Sequence, residues 1–287
     1  IQAASSCSRT PWPSYSMLAW MAGIRLGLFL LVFLILAMSE VRWPRRQLTA
    51  GRSKRWAANI GLSFFNSIAI RALIPFSGVV SSLWAQEQGF GLFNQLDWSV
   101  WFEFLLFILL FDLTIYWQHR VFHMLPVLWR FHRVHHTDED YDLTTGTRFH
   151  PISILISTII KIGLVILLGA SPFAILSAEI ILNLTSMFNH SNIRLPQQVD
   201  RVLRKVIVTP DMHRIHHSQD KIEHNCNFGF NFSFWDRCFG SYLQDAGQAQ
   251  EYMAIGIVDY EGSATRSLLS LFLQPFRSER AARTKRS

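Results

Sequence analysis

The chain has 287 residues, of which 50% are hydrophobic, 14% aromatic and only 16% charged. Because charged residues make up about a quarter of an average soluble domain, this composition excludes a disordered chain and a coiled coil. The formal net charge is +7, and many of the basic residues lie next to long apolar runs. We therefore predict basic membrane loops and no nucleic-acid partner.

Five apolar stretches are long enough, or nearly so, for the roughly 20-residue helix that crosses a hydrocarbon core. They lie at about residues 18–38, 60–80, 99–118, 152–170 and 172–188. The last two are short and are separated only by Ser171 and Pro172, which predicts a tight helical hairpin and leaves the number of full crossings open. The predicted fold is all-α, a polytopic membrane helical bundle.

Lysine and arginine are unevenly distributed among the loops that join these spans. The 39–58 loop carries six of them, the 81–98 loop carries none, and further basic residues follow the third and fifth spans. Since such residues accumulate on the cytoplasmic side, we predict an outside N-terminus and cytoplasmic segments at 119–151 and 189–287. Within the spans, Arg25, Arg71 and Lys161 are expected to snorkel toward an interface.

All eleven histidines lie between His119 and His224, and eight of them form three boxes. The boxes are HRVFH at 119–123, HRVHH at 132–136 and HRIHH at 213–217. Residues three and four apart share one face of a helix, so each box is expected to present its imidazoles to one point. Imidazole is the commonest metal ligand, and eight exceed what one ion needs. The boxes predict a dinuclear metal site in a multi-pass membrane protein with a cytoplasmic histidine-rich cap.

The flanks of these boxes resemble the fatty acid hydroxylase and sterol desaturase superfamily over about residues 100–245. The matching motifs are LWRFHRVHH at 128–136, RFHP at 148–151, FNHSN at 188–192, TPDMHRIHH at 209–217, NFGF at 227–230 and WDRCFG at 235–240. The resemblance implies a di-iron oxygenase that uses O2 to hydroxylate or desaturate a C–H bond of a sterol, fatty acyl or alkyl lipid. Since phosphate-cradling motifs are absent, electrons are expected from a separate cytochrome b5-like or ferredoxin-like donor and its reductase.

The resemblance also implies the metal ligands and the division of the chain. The implied ligands are His119, His123, His132, His135, His136, His190, His213, His216 and His217. His150 stays open between a ligand, a donor to a ligand and a helix cap beside Pro151, whereas His224 departs from the superfamily pattern and is expected at the surface. We divide the chain into N-terminal spans at 1–98, a di-iron catalytic domain at 99–245 and a basic tail at 246–287. In the tail, residues 266–276 form either an interfacial helix or a segment packed on the catalytic domain.

Polar side chains at helical spacing lead toward the histidines in two of the spans. They are Asp112 and Tyr116 before His119, and Glu179, Asn183 and Ser186 before His190. Lipid would leave such groups unsatisfied, so each is expected either to orient a ligand or line a lipid tunnel, or to form an interhelical hydrogen bond. Asp211 and Asp236 are candidates for hydrogen bonds to ring N–H groups, with surface salt bridges as the alternative.

Two other functions fit a membrane-bound histidine cluster. A metallohydrolase with a dinuclear zinc site would activate water instead of O2. A divalent-metal transporter would bind its ion near the bilayer midplane, whereas these boxes follow the ends of the spans. Metal content and O2 consumption distinguish these alternatives from an oxygenase.

Overall fold

The computed structural model describes residues 15–74, 78–258, 260 and 262–277, and this part of the chain contains helices and three isolated β-bridges but no strand. The helices are α1 (Tyr15–Arg42), α2 (Arg52–Leu73), α3 (Gly78–Glu87), α4 (Leu92–Gln95), α5 (Val100–Met124), α6 (Pro126–His136), α7 (Pro151–Leu168), α8 (Pro172–Asn189), α9 (Gln197–Leu203), α10 (Pro210–His216), α11 (Phe234–Cys238), α12 (Ser263–Arg266) and α13 (Leu268–Leu273). The predicted all-α fold is confirmed.

Five stretches of these helices are long and apolar enough to cross a membrane. They are Ala19–Arg42, Arg52–Gln95, Val100–Met124, Pro151–Leu168 and Pro172–Asn189. Four of them agree with the predicted spans to within six residues. The largest difference is in the third, which continues to Met124 and so includes His119 and His123, predicted to lie in the following loop. The exception is the span predicted at 60–80, which begins earlier and is divided between α2 and α3.

The tight turn predicted between α7 and α8 is present, and it follows from local residue chemistry. Gly169 ends α7 with a φ of +68°, a left-handed conformation that glycine adopts without steric cost. Ser171 then caps α8, because its hydroxyl accepts the N–H of Ala174 at 3.2 Å, and Pro172 begins the helix. The turn thereby returns α8 toward the histidine-bearing end of the bundle.

The apolar core packs the middle of α5 against the end of α7 and the start of α8. Phe107, Phe111 and Ile115 of α5 are buried in one cluster with Val165 of α7 and Ile175 of α8. Lipid tails are as apolar as these side chains, so close van der Waals packing, and not removal from water, holds the helices together here. Consequently the histidines that end α5 lie near the one that follows α8.

A buried ionic cluster anchors the segment that follows α6. Nε and NH2 of Arg55 in α2 donate to the carboxylate of Asp138 at 2.7 and 2.9 Å, and NH1 donates to Asp142 at 2.8 Å. Arg148 donates from Nε to the carbonyl of Val134 at 2.8 Å. The predicted domain boundary at residue 98 stays a prediction, but this cluster joins side chains from both sides of it.

The C-terminal segment packs on the bundle with one face and exposes the other. Leu271 of α13 is fully buried against Leu62 of α2 and Val134 of α6. Leu269 and Phe276 are 66% and 67% exposed. One face of residues 266–276 therefore packs on the bundle, as one of the two predictions for this segment stated. The exposed apolar face is compatible with contact with a membrane surface, as the other prediction stated.

Candidate metal centre

Nine histidine side chains converge on two points at one end of the bundle. The first group consists of His119, His123, His132, His136 and His216, and the second of His135, His190, His213 and His217. Within each group, one nitrogen of every ring lies within 4.8 Å of those of the other members. The structure thus brings together the nine histidines that the sequence predicts as ligands, although metal binding itself stays a prediction.

The second and third boxes each contribute histidines to both groups. His135 belongs to the second group while the other two histidines of its box belong to the first, and His216 shows the converse division. Successive residues of a helix point about 100° apart, so an adjacent His-His pair cannot face a single point. The expectation that each box converges on one point is therefore wrong for these two boxes, which bridge the groups.

The spacing of the ring nitrogens fits a metal ion in each group. The Nε2–Nε2 distances are 3.1 Å for His123–His136, 3.3 Å for His132–His136, 3.0 Å for His119–His216, 3.1 Å for His135–His190 and 3.2 Å for His190–His213. Ligand nitrogens bound at about 2.1 Å to one ion are separated by about 3.0–3.4 Å in common geometries. Both nitrogens of His217 are buried and lack a hydrogen-bond partner among the described residues. An ion in the second group would give one of these two nitrogens a partner.

Backbone carbonyls fix the orientation of three of the rings. Nδ1 of His119 donates to the carbonyl of Phe228 at 2.9 Å, and Nδ1 of His216 donates to that of Cys226 at 2.8 Å. Nδ1 of His190 donates to the carbonyl of Ser186 at 2.7 Å. With the proton held on Nδ1, the lone pair of Nε2 points into the group, as in protein metal sites.

Burial keeps these imidazoles neutral. It lowers the pKa of His190 to about 3, an effect that the hydrogen bond to Ser186 only partly offsets. Burial, followed by the neighbouring imidazoles, also lowers the pKa well below its ordinary value for His132, His135, His136, His213, His216 and His217. Neutral imidazole is the form that binds metal, so these rings are ready to act as ligands at pH 7.

His150 lies in neither group and caps a helix. Its Nδ1 accepts the N–H of Ile152 at 3.2 Å at the start of α7, and its Nε2 donates to the carbonyl of Phe272 at 3.3 Å. Both nitrogens are thereby used within the protein. Of the three alternatives for this residue, the structure supports the cap and contradicts the ligand.

The prediction that His224 is a surface imidazole is wrong in part, because its side chain is half-buried against the first group. Its ring centroid lies 4.6 Å from that of His136, 4.8 Å from that of His123 and 4.8 Å from that of Trp129. Burial lowers its pKa to about 4. Neither of its nitrogens is among those that converge in the first group. His224 therefore packs against the outer side of that group, a position that its distance from the boxes in sequence did not indicate.

We expect the His224→Ala variant to keep both metal ions and most of its turnover, because the change removes a packing ring and no converging nitrogen. The matched variant His190→Ala removes a member of the second group and should lose metal. Metal analysis of the two purified variants measures the difference. If His224→Ala lost metal while His190→Ala kept it, the assignment of ligands after residue 188 would be wrong.

Asp236 supports the loop that orients His119. Its carboxylate accepts the backbone N–H groups of Phe228 at 2.7 Å and Gly229 at 2.8 Å, and the hydroxyl of Ser241 at 2.7 Å. Burial raises its pKa to about 6, although these hydrogen bonds favour the charged form. Asp236 forms neither of the two predicted contacts among the described residues, a hydrogen bond to a ring N–H or a surface salt bridge, since it is fully buried and acts on His119 through the backbone of Phe228.

Asp112 and Tyr116 likewise contact the loop and not the ligands. Asp112 accepts the N–H groups of Asn231 at 3.1 Å and Phe232 at 3.0 Å. The hydroxyls of Tyr116 and Ser241 are 2.7 Å apart. Of the two alternatives for these side chains, the structure shows hydrogen bonds between elements, which hold residues 228–241 against α5.

Asp211 forms the salt bridges that were the alternative to a ligand contact. Its carboxylate accepts hydrogen bonds from Nε of Arg45 at 2.9 Å and from Nη1 of Arg214 at 2.6 Å. It precedes His213 by two residues, so these ion pairs fix the start of α10 against the loop after α1. The hydrogen bond predicted between Asp211 and an imidazole is absent from the described residues.

Glu179 does not point along α8 toward the histidines. It pairs with Arg25 of α1, whose NH1 lies 2.5 Å from the Glu179 carboxylate. It precedes His190 by eleven residues, or about 16 Å along a helix. The snorkelling expected of Arg25 is thus replaced by an ion pair within the bundle. Asn183 is half-buried and makes no hydrogen bond to a ligand histidine in the part of the chain described.

Two aromatic residues that were not predicted as site residues pack directly on the second group. The fully buried ring of Tyr141 stacks on His190 with centroids 5.7 Å apart, and its hydroxyl donates to the carbonyl of Asn189 at 2.6 Å. Phe149 stacks on His135 at 4.4 Å. Phe149 lies within the RFHP motif, but Tyr141 lies in an acidic run that carried no sequence signal.

The family model for fatty acid hydroxylase matches residues 104–241, which contain every histidine of the two groups. No solved structure matches the chain.

Three curated proteins illustrate the similarity. An ornithine lipid hydroxylase of Rhizobium tropici is 29% identical over 77% of this chain and 61% of its own length. An alkylglycerol monooxygenase of Danio rerio is 32% identical over 54% of this chain and 33% of its own length. A cholesterol 25-hydroxylase of Rattus norvegicus is 31% identical over 48% of this chain and 45% of its own length. The chain thus spans between a third and about three fifths of the length of these relatives.

Proposed function

Because residues 104–241 belong to the fatty acid hydroxylase family, we propose that this chain is an integral membrane di-iron oxygenase that acts on a lipid. It uses O2 and electrons from a separate donor to oxidise a C–H bond. The three relatives described above are named hydroxylases or a monooxygenase, which favours hydroxylation over desaturation.

One observation carries the proposal, namely two adjacent groups of five and four imidazoles with nitrogens at metal-ligand spacing. An all-nitrogen donor set suits iron, copper, nickel or zinc. A tetrahedral zinc site uses three or four protein ligands, so the group of five exceeds what it needs. The ligand number in the first group favours iron with higher coordination.

The histidines would hold two irons, which supply the oxidising power when O2 and electrons are present. The protein contributes positioning and the exclusion of water. Eight of the nine ligand rings are buried, and the loop carbonyls of Phe228 and Cys226 hold two of them in a single orientation. The rings then need little rearrangement when metal binds.

Two phenylalanines lie between the second histidine group and the apolar cluster of the spans. Phe149 stacks on His135, and the ring of Phe230 lies 6.3 Å from that of His213. Both also pack against the apolar cluster of α5, α7 and α8. We propose that an alkyl chain from the bilayer passes between Phe149 and Phe230, which leaves its oxidised carbon beside the histidines.

Incubation of the purified chain with a reducing system, 18O2 and extracted membrane lipids tests the activity directly. We expect one 18O atom in a lipid hydroxyl group, detected by mass spectrometry. Product without the label, or label taken from 18O-water, would instead indicate a hydrolase. Metal uptake into sealed vesicles without any lipid product would indicate a transporter.

We also propose that the histidine groups face the cytoplasm, because the loops on their side of the bundle carry the basic residues. In a background without native cysteines, we expect Gln88→Cys to react with an impermeant maleimide added to intact cells. Lys221→Cys on the histidine side should react only after lysis. Both positions are exposed, so burial does not protect either of them. The reverse pattern would place the metal centre outside the cell.

A further inference from the structure

A cavity of about 430 Å³ lies beside the end of α1, outside the metal centre. Its lining residues are Pro44, Arg45, Arg46, Gln47, Thr49, Arg194, Glu251 and Tyr252. The volume is in the range of small-molecule sites, which span about 300–1,000 Å³. The proposed oxygenase reaction leaves this cavity without a role.

The charges that line the cavity are mainly positive, with three arginines and one glutamate. Arg45 is paired with Asp211 and with Glu251. Arg194 reaches Glu251 only at 3.5 Å, and its side chain is 58% exposed. Nη1 of Arg46 donates a hydrogen bond to the backbone carbonyl of Met253, a neutral acceptor, at 2.8 Å. The carboxylate of Asp140, which accepts the N–H of Thr49 at 3.0 Å, also acts on Arg46. The exposed guanidinium of Arg194 is therefore the least balanced of the three, and an anion would complete its site.

The cavity lies where phospholipid headgroups would surround the protein. The membrane-spanning α1 ends at Arg42, and Pro44 already lines the cavity. The guanidinium of Arg42 lies 5.2 Å from the ring centroid of Trp43, which is 58% exposed. Exposed tryptophan beside a basic residue is typical of the membrane–water interface. The cavity would thus lie at the level of the membrane–water interface where the phosphate groups of the surrounding lipids are found.

The floor of the cavity is continuous with the segments that carry the second histidine group. The backbone N–H of Arg46 donates to Oδ1 of Asn192 at 3.1 Å, and Nδ2 of Asn192 donates to the carbonyl of Arg46 at 2.8 Å. Asn192 follows His190 by two residues. The ion pair of Arg45 with Asp211 makes the same connection to His213. A headgroup held here would lie against the backbone that positions these ligands.

We infer that this cavity binds the phosphate-bearing headgroup of an anionic phospholipid from the surrounding bilayer. A small concave site suits a headgroup, whereas an acidic electron-donor protein would need a broader surface of about 800 Å² per partner. The inference concerns binding alone. It can therefore fail while the oxygenase proposal holds, and the reverse is also possible.

Calorimetric titration of the full chain in neutral detergent with dioctanoyl phosphatidylglycerol tests the inference. We expect saturable binding that is weakened about tenfold by Arg194→Gln and largely restored by Arg194→Lys, because one charge-assisted hydrogen bond is lost and regained. The matched control is Arg130→Gln, which removes an exposed arginine of α6 that does not line the cavity. It should bind the lipid as the parent chain does.

Four results would overturn the inference. The first is an equal effect of the Arg194→Gln and Arg130→Gln substitutions, or no effect of either. The second is equally tight binding of dioctanoyl phosphatidylcholine, which carries no net charge. The third is equally tight binding of inorganic phosphate, which would make this a free-phosphate site. The fourth is unchanged lipid binding in Arg194→Gln together with slower reduction by an acidic ferredoxin, which would make it a protein-docking surface.

Discussion

The His216→Ala variant is expected to lose one of the two proposed metal ions and to turn over at least ~100-fold more slowly than the parent chain, because it removes a proposed metal ligand outright. Nε2 of His216 lies 3.0 Å from Nε2 of His119 in the first group, and His216 is the member that α10 contributes to that group. The other ligands sit on α5 and α6 and are held by packing, so they cannot move to replace it.

The second group should keep its ion in this variant, since its four histidines are unchanged. Iron analysis together with the yield of oxidised lipid measures both effects, and His224→Ala serves as the matched control beside the same group. Two irons per chain and unaltered turnover in His216→Ala would contradict the assignment of His216 as a ligand.

The Asp138→Asn variant is expected to lose about 3–5 kcal/mol of stability, the usual result of breaking a buried ion pair by removing one partner. Asp138 accepts two hydrogen bonds from Arg55, one from Asn59 at 3.1 Å and one from Thr145 at 2.9 Å. An asparagine can accept from only one of its two terminal atoms. The charge of Arg55 would then be left with Asp142 as its remaining partner.

The ionised state of Asp138 is well defined at neutral pH. Burial alone would raise its pKa, but the nearby Arg55 and Arg148 hold the pKa below its ordinary value. A carboxyl group with a depressed folded-state pKa stabilises the fold above its unfolded pKa of about 3.9, and this contribution is lost as the pH falls below that value. The Asp138→Asn change should therefore act throughout the neutral range.

Thermal unfolding in detergent at pH 7 measures this loss. The matched control is Asp245→Asn, an exposed carboxylate outside the cluster, which should unfold within about 0.5 kcal/mol of the parent chain. Equal stability of the two variants would mean that the Arg55 cluster does not anchor the segment after α6.

The sequence predicted the helices and the set of converging histidines because both leave local patterns. Long apolar runs require membrane-spanning helices, and imidazoles at three- and four-residue spacing lie within one turn of a helix. The division of the boxes between two groups was also accessible in principle. An adjacent pair such as His135 and His136 must diverge on a helix, because successive residues point about 100° apart.

Other features depend on tertiary contacts that no local pattern encodes. His224 reaches the first group because the turn at 220–226 folds back over it, with Asp220 accepting the N–H groups of Ile222 and Glu223 at 2.8 and 3.2 Å. The spacing of Glu179, Asn183 and Ser186 on α8 predicted that these polar side chains face the metal centre. Glu179 instead meets Arg25, because α1 packs on that face of α8, and periodicity does not tell which helix will be the neighbour.

Iron content of the purified parent chain, expressed with ample iron and measured by plasma mass spectrometry alongside zinc, tests the central claim most directly. The convergence of five and four imidazoles predicts two irons per chain, both removed by a strong chelator and restored by ferrous iron. One metal ion per chain, or two zinc ions with no O2-dependent lipid product, would contradict the di-iron centre.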